Sequence, residues 1–177
     1  MEQAALDRRI QQFYSRFAEA ERLTTMSAAG RLELERIQEL LRARLKPGSH
    51  IIDVGGATGV HATWLAAEGH DVVLVDPIAS QVEIAAQAGI FTAVVGDARC
   101  LDFAAGSFDA ALLFGPLYHL HSRDDRLRAL GEAKRVVCPG GLVFAVGISR
   151  CSAIVAGMLA TIPETADERV IGLINDG

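Results

Sequence analysis

From Lys46 to Ile148 the chain alternates short apolar runs with amphipathic or charged stretches, and this alternation restricts the fold more than any other feature. "HIIDV" (50–54), "DVVLVD" (71–76), "FTAVVGD" (91–97), "FDAALLFG" (108–115) and "LVFAVGI" (142–148) read as strands. Between them, helices are expected over 58–68, 78–88 and 123–136, with Gly69 and Gly89 closing the first two and "PGG" turning the chain before the fifth strand. Apolar runs of this kind, without polar alternation, belong to strands buried on both faces. The predicted fold class is α/β: a doubly wound parallel sheet in the order 3-2-1-4-5, with helices on both faces.

Two helices are expected ahead of the sheet, over 3–23 and 28–45, the second stopped by "KPGS". After Ser149 the sequence reads as two more, over 152–160 and 166–174. With 177 residues, half of them hydrophobic, the chain can bury one sizeable core. The formal net charge of −5 argues against a broad nucleic-acid-binding face, which needs clustered Lys and Arg. No stretch reaches the roughly 18 apolar residues of a membrane span. The charged N-terminus lacks the apolar core of a signal peptide, so a cytoplasmic location is expected. Cys100, Cys138 and Cys151 and the scattered histidines show no metal-ligand spacing, and no metal is expected.

"IIDVGGATG" (51–59) is where the chemistry concentrates. In open α/β sheets, ligands bind beyond the carboxyl ends of the strands, near the point where strand order reverses. Asp53 and the turn Gly55, Gly56, Ala57, Thr58, Gly59 fall there. A plain strand–helix turn needs one glycine; three in five residues fit a turn whose backbone N–H groups meet a ligand. A phosphate loop is excluded, because no lysine follows the glycines. The dinucleotide pattern GxGxxG, started at Gly55, meets Ala57 and Val60 where its other glycines belong. An acid followed by GxxxG suits a ligand carrying an amine and a sulfonium. Asp76 ends the second strand at close to the roughly 20-residue spacing of an acid that binds ribose hydroxyls, a feature that fits a nicotinamide dinucleotide equally well. Asp97, ending the third strand, is placed to accept from an adenine amino group.

These segments, with "LVDP", "VVGDARCLDF", "SFDAALLFGPLYHL" and "RVVCPGGLVFAV", resemble the S-adenosylmethionine-dependent methyltransferases of the Rossmann-like class. "GPLYHL" is similar to the ubiquinone-biosynthesis and sterol-type small-molecule group, and "FYSRFAEAERL" looks like its N-terminal lid. The resemblance implies a helical lid over 1–45, a cofactor-binding core over 46–149, and a capping insertion or incomplete C-terminal part over 150–177. It implies that Gly55, Gly56, Ala57 and Gly59 line the methionine end of the cofactor and that Asp53 supports its amine. Asp76, with Pro77 behind it, takes the ribose; Asp97 and the Ala98 backbone read adenine; Phe114 and Gly115 border the methyl donor. Tyr14 and Arg22 would reach the cofactor or substrate from the lid. Ala57 stands where the family more often has glycine.

Methyl transfer from a sulfonium needs alignment and exclusion of water above all. A base matters only for a protonated acceptor, and Tyr118, His119 and His121 follow the fourth strand where a small-molecule acceptor would sit. His119 is the leading candidate. Two alternatives stay open: a non-catalytic cofactor-binding or scaffold protein, and an NAD(P)-dependent oxidoreductase. The last expectation concerns the fifth strand, which in the order 3-2-1-4-5 lies at an edge that no Lys, Pro or inward charge protects. The family covers that edge with two further strands, which 150–177 does not supply. Further chain beyond Gly177 or a second copy of the protein would have to cover it.

Overall fold

The computed structural model describes Leu23, residues 28–149 and Cys151. The helices expected over 3–23 and after 151, with Tyr14 and Arg22, lie outside the described residues. The chain divides into two compact units, Met1–Val146 and Gly147–Gly177. In the second, the Cys151 N–H donates to Ser149 Oγ at 3.2 Å.

In the first unit α1 (Ala28–Arg42) precedes β1 (His50–Val54), α2 (Val60–Ala67), β2 (Asp71–Asp76), α3 (Ala79–Ala86) and β3 (Thr92–Val95). Then come β4 (Phe108–Leu113), a one-turn helix α4 (Pro116–His119), α5 (Arg123–Val136) and β5 (Val137–Ala145). The five strands form one sheet in the order β3-β2-β1-β4-β5, every pair parallel, as expected. Parallel neighbours require crossovers, which α2, α3 and α5 supply.

Side chains alternate across the sheet. Ile52 and Val54 of β1 join Val75, Phe108, Leu113, Ala129, Ala133 and Val136 in the cluster that includes α5. Ile51 joins Leu41, Ala62, Leu65, Leu74 and Val82 in the opposite cluster, which α1, α2 and α3 share. Burying each such Leu, Ile or Val contributes about 1.5–3 kcal/mol. By the same alternation Asp53 shares the face of Ile51, so its carboxyl is directed to the side that α2 covers.

Two expectations change. Helix α2 begins at Val60 rather than Thr58, because Gly59 sits at φ 87°, outside the helical region. The fifth strand begins before "PGG" rather than after it. Val137 pairs with Phe108, the ladder resumes at Leu142 opposite Ala110, and the residues between form a bulge. Pro139 is tolerated there because a bulge at an edge leaves its missing N–H unneeded. A Cβ on Gly141 would lie 2.5 Å from the Asp109 carbonyl, so only glycine fits this approach. The burial expected on both faces of β5 is also incomplete: Leu142 and Val143 are exposed.

Helix α5 carries the sequence signals of both its ends. Ser122 Oγ accepts from the Asp124 N–H at 3.2 Å, with Asp124 and Asp125 in the first turn and Lys134 and Arg135 in the last. Its C-terminal half also holds the β3–β4 loop. Arg135 donates to the Phe103 and Leu101 carbonyls at 2.7 Å, and Glu132 Oε2 accepts from the Leu101 N–H at 2.7 Å.

Candidate functional site

Strand order reverses between β1 and β4, and the loops after these strands meet over the gap. Gly55, at φ 76°, donates its N–H to the Val75 carbonyl at 2.7 Å. A Cβ on Gly55 would lie 2.8 Å from Cδ of Pro116, and one on Gly56 would lie 2.7 Å from both Asp53 Oδ2 and Leu74 Cδ1. A Cβ on Gly59 would meet the Phe91 ring at 2.7 Å. The glycines read as ligand-facing therefore have a second cause: each lets protein atoms close in behind the turn. Ala57 adopts φ 48°, the left-handed region that glycine occupies without penalty.

A cavity of about 340 Å³ opens at this point. Its floor is the glycine turn with Asp53 and Thr58; the ends of β2 and β3 add Asp76, Pro77, Gly96, Asp97 and Ala98. Phe114, Gly115, Tyr118 and His119 form the wall after β4, and Glu33 and Ile37 of α1 also line the cavity. Of the expected cofactor residues among those described, Asp53, Gly55, Gly56, Ala57, Asp76, Pro77, Asp97, Ala98, Phe114 and Gly115 line this cavity, while Gly59 is buried behind the turn and does not. Of the three candidate catalytic residues, Tyr118 and His119 line it, their rings 4.6 Å apart, while His121 does not and is exposed.

Asp53 is 1% exposed. Burial pushes its carboxyl up to about 7, the nearby Asp76 charge adds to this, and the Ala62 N–H opposes it. That N–H belongs to the first turn of α2, whose N-cap Gly59 has no side chain to offer, so Asp53 acts as a cap from the neighbouring strand. Its Oδ2 is buried without a hydrogen-bond partner, as is Thr58 Oγ1. Asp53 and Thr58 both line the cavity.

Asp76 is 5% exposed and organises the turn. Its Oδ2 accepts from the Ala57 N–H and its Oδ1 from the Ile78 N–H, both at 2.9 Å. Burial raises its carboxyl above the ordinary range, and these two N–H groups offset part of that. Each oxygen keeps a further lone pair, enough for a pair of ribose hydroxyls. Asp97 lies two residues beyond the end of β3 and is held by Arg99 through its backbone N–H (2.8 Å), Nε and Nη2. Burial pushes the Asp97 carboxyl up, but the Arg99 contacts outweigh it and hold it below its usual value.

Sequence reading gave no role to Arg99, His61, Pro116 or the side chain of Thr58, all of which line the cavity. His61 is 8% exposed, stands edge-on to Phe114 with ring centroids 5.0 Å apart, and accepts from Trp64 Nε1 at 3.4 Å. Pro116 was legible in "GPLYHL", but its packing on Gly55 depends on β1 and β4 being neighbours.

An acid-lined cleft at the switch point of a 3-2-1-4-5 sheet, with a glycine turn and a ribose-directed acid, defines a Rossmann-like domain for a nucleoside cofactor. A family model described as a methyltransferase domain matches residues 52–145, more than half of the chain, and the chain belongs to that family. Its cofactor is S-adenosylmethionine. The probable tRNA methyltransferase 9B of Homo sapiens is 36% identical over 106 residues, 60% of this chain and 22% of that protein. The demethylmenaquinone methyltransferase of Beutenbergia cavernae is 37% identical over 98 residues, 54% of this chain and 39% of that protein. A solved S-adenosylmethionine-dependent methyltransferase from Methanosarcina mazei superposes with a TM-score of 0.56 at 26% identity, covering 59% of this chain and 55% of that one. The chain spans less than half the length of these two curated relatives. Among the described residues no helix is long and apolar enough to cross a membrane.

Proposed function

We propose that this domain transfers the methyl group of S-adenosylmethionine to a small-molecule acceptor bound against α4. The observation that carries this reading is the single cavity that Asp53, Asp76 and the glycine turn line together, with the Asp53 carboxyl pushed up to about 7 by burial and by Asp76. A ligand ammonium group in this cavity neutralises the acid pair. The bound cofactor supplies an electrophilic methyl group on a sulfonium, an excellent leaving group.

The protein's part is alignment and exclusion of water. Asp53 and Thr58 hold the aminoacyl end, Asp76 the ribose, and Asp97 with the Ala98 backbone the base. Phe114 and Gly115 border the sulfonium. Tyr118 and His119 face the acceptor, and His119 takes the proton that an O–H or N–H acceptor loses as its lone pair attacks the methyl carbon. Helix α4 is seated on the turn through Pro116 and Gly55, which sets the acceptor wall against the cofactor floor. The demethylmenaquinone relative has a small-molecule acceptor in its name, and a cavity of about 340 Å³ supports the same class here.

Calorimetry with S-adenosylhomocysteine, S-adenosylmethionine and NAD tests the cofactor; micromolar NAD binding without a response to S-adenosylhomocysteine refutes it. His119→Ala should lower turnover while leaving S-adenosylhomocysteine affinity nearly unchanged. Equal loss of both places His119 in the cofactor site, and an unchanged rate makes it structural.

A further inference from the structure

Asp97, read as the acceptor for the adenine amino group, stands two residues beyond the end of β3, outside the sheet. Its side chain is 43% exposed, so packing alone does not orient the carboxylate. Arg99 does. Oδ1 accepts from the Arg99 backbone N–H at 2.8 Å and shares the Nε–H with Oδ2, at 2.9 and 3.0 Å, while Nη2 donates to Oδ2. The Cys100 N–H closes the same turn on the Asp97 carbonyl at 3.0 Å. Three hydrogens of one arginine thus meet a carboxylate with about four acceptor sites, and one site stays open to a ligand donor. The guanidinium is anchored in turn, because its Nη1 lies 3.5 Å from Asp125 Oδ2 on the first turn of α5. Asp97 and Arg99 line the cavity and Asp125 does not.

We infer that Arg99 is a positioning residue for base recognition: its fork holds the Asp97 carboxylate in one orientation, with the open acceptor site turned to the purine amino group. Arg99 acts through Asp97. This rests on the reading of Asp97 as the adenine acceptor. Two effects of the arginine oppose each other. Its positive charge makes the carboxylate a weaker acceptor for any further donor, an effect that solvent screens at a half-exposed pair. Against that, an aspartate of this exposure without the fork turns about two side-chain bonds and carries its own water. A ligand then has to order the one and displace the other. A carboxylate held in place avoids that loss, about three- to tenfold in affinity for one immobilised side chain. Ordering is the larger effect.

The test measures how strongly each protein prefers adenosine to purine riboside, which lacks only the 6-amino group, by calorimetry or NMR titration on the full chain. A hydrogen bond to a charged acceptor should give the parent a preference of about tenfold. Arg99→Leu should reduce it to about two- or threefold and leave the affinity for purine riboside within about twofold of the parent's. Arg99→Lys keeps the charge but not the planar fork, and should fall to about threefold as well. A merely structural Arg99 would lower affinity for both nucleosides alike. The assignment is overturned if Arg99→Leu keeps or exceeds the parental preference, if it weakens both nucleosides equally, or if Arg99→Lys retains the full preference, which would make charge the cause. The lysine arm stands even if Arg99→Leu does not fold. A parent that binds S-adenosylhomocysteine but shows no amino preference overturns the role of Asp97 and that of Arg99 together. A parent that binds no S-adenosylhomocysteine refutes the cofactor reading, and the role of Arg99 with it.

Discussion

Asp53→Asn should make the protein more stable at pH 8 and flatten its stability profile between pH 5 and 7.5. In the unfolded chain this carboxyl has its ordinary value of 3.8; in the fold, burial and the neighbouring Asp76 push it up to about 7. Between those values the folded state keeps a proton that the unfolded state has released. Unfolding therefore sheds a proton, and stability falls as pH rises through this window, then levels off above the folded value. A gap of about three pH units at 1.36 kcal/mol each sets an upper limit of about 4 kcal/mol on the loss. Asp76, also raised by burial, acts with the same sign. Asp97 and Glu132 are shifted down, so their contributions are lost as pH falls below the ordinary carboxylate range and are complete by about pH 5. Asparagine is neutral throughout and still offers an oxygen to the Ala62 N–H. Urea unfolding of the parent and the variant at half-unit pH steps reads the difference. Between pH 5 and pH 8 the parent should lose about 2–3 kcal/mol more than the variant. Parallel profiles would refute the claim that Asp53 is protonated in the free protein. Saturating S-adenosylhomocysteine should flatten the parent's profile, because its ammonium group favours the ionised carboxylate.

Ala57→Gly should stabilise the fold by about 0.5–1 kcal/mol, because relief at φ 48° exceeds the added freedom of the unfolded glycine; the urea midpoint measures it. Glu132→Gln should cost about 1–3 kcal/mol at pH 7 by releasing Arg135 and the Leu101 N–H. The Arg135 hydrogen bonds hold the Glu132 carboxyl down at about 2 against an ordinary 4.5, so its contribution is present above pH 4.5 and is lost as pH falls towards 2. The two unfolding profiles should converge at the acid end. Asp76→Asn should weaken S-adenosylhomocysteine binding by about 1.5–3 kcal/mol and also destabilise the free protein, since one of its two backbone partners would face an amide N–H. Unchanged affinity in calorimetry would make Asp76 a brace for the turn alone.

Periodicity carries far in this chain because the sheet is buried on both faces. The strands had to be continuous apolar runs, and the 3-2-1-4-5 order followed from the alternation with helices. The three acids were legible for the same reason: a carboxylate at or just past the carboxyl end of a buried strand, in three successive strands, has one place to go. What each acid does there was decided by neighbours distant in sequence. Asp53 acquires its protonation from burial and from Asp76, and the unsatisfied first turn of α2 draws on it because Gly59 cannot cap. Asp97 is held by Arg99, two residues on, and Arg99 in turn by Asp125, whose position depends on how α5 crosses the sheet. The second role of the glycines was hidden as well. Pro116 behind Gly55 and Phe91 beside Gly59 approach only once β1 lies between β2 and β4. Sequence determines which residues reach the strand ends, because that depends on local period. Tertiary packing decides their charge state and partners, because desolvation and Coulomb interactions depend on distances that local pattern does not contain.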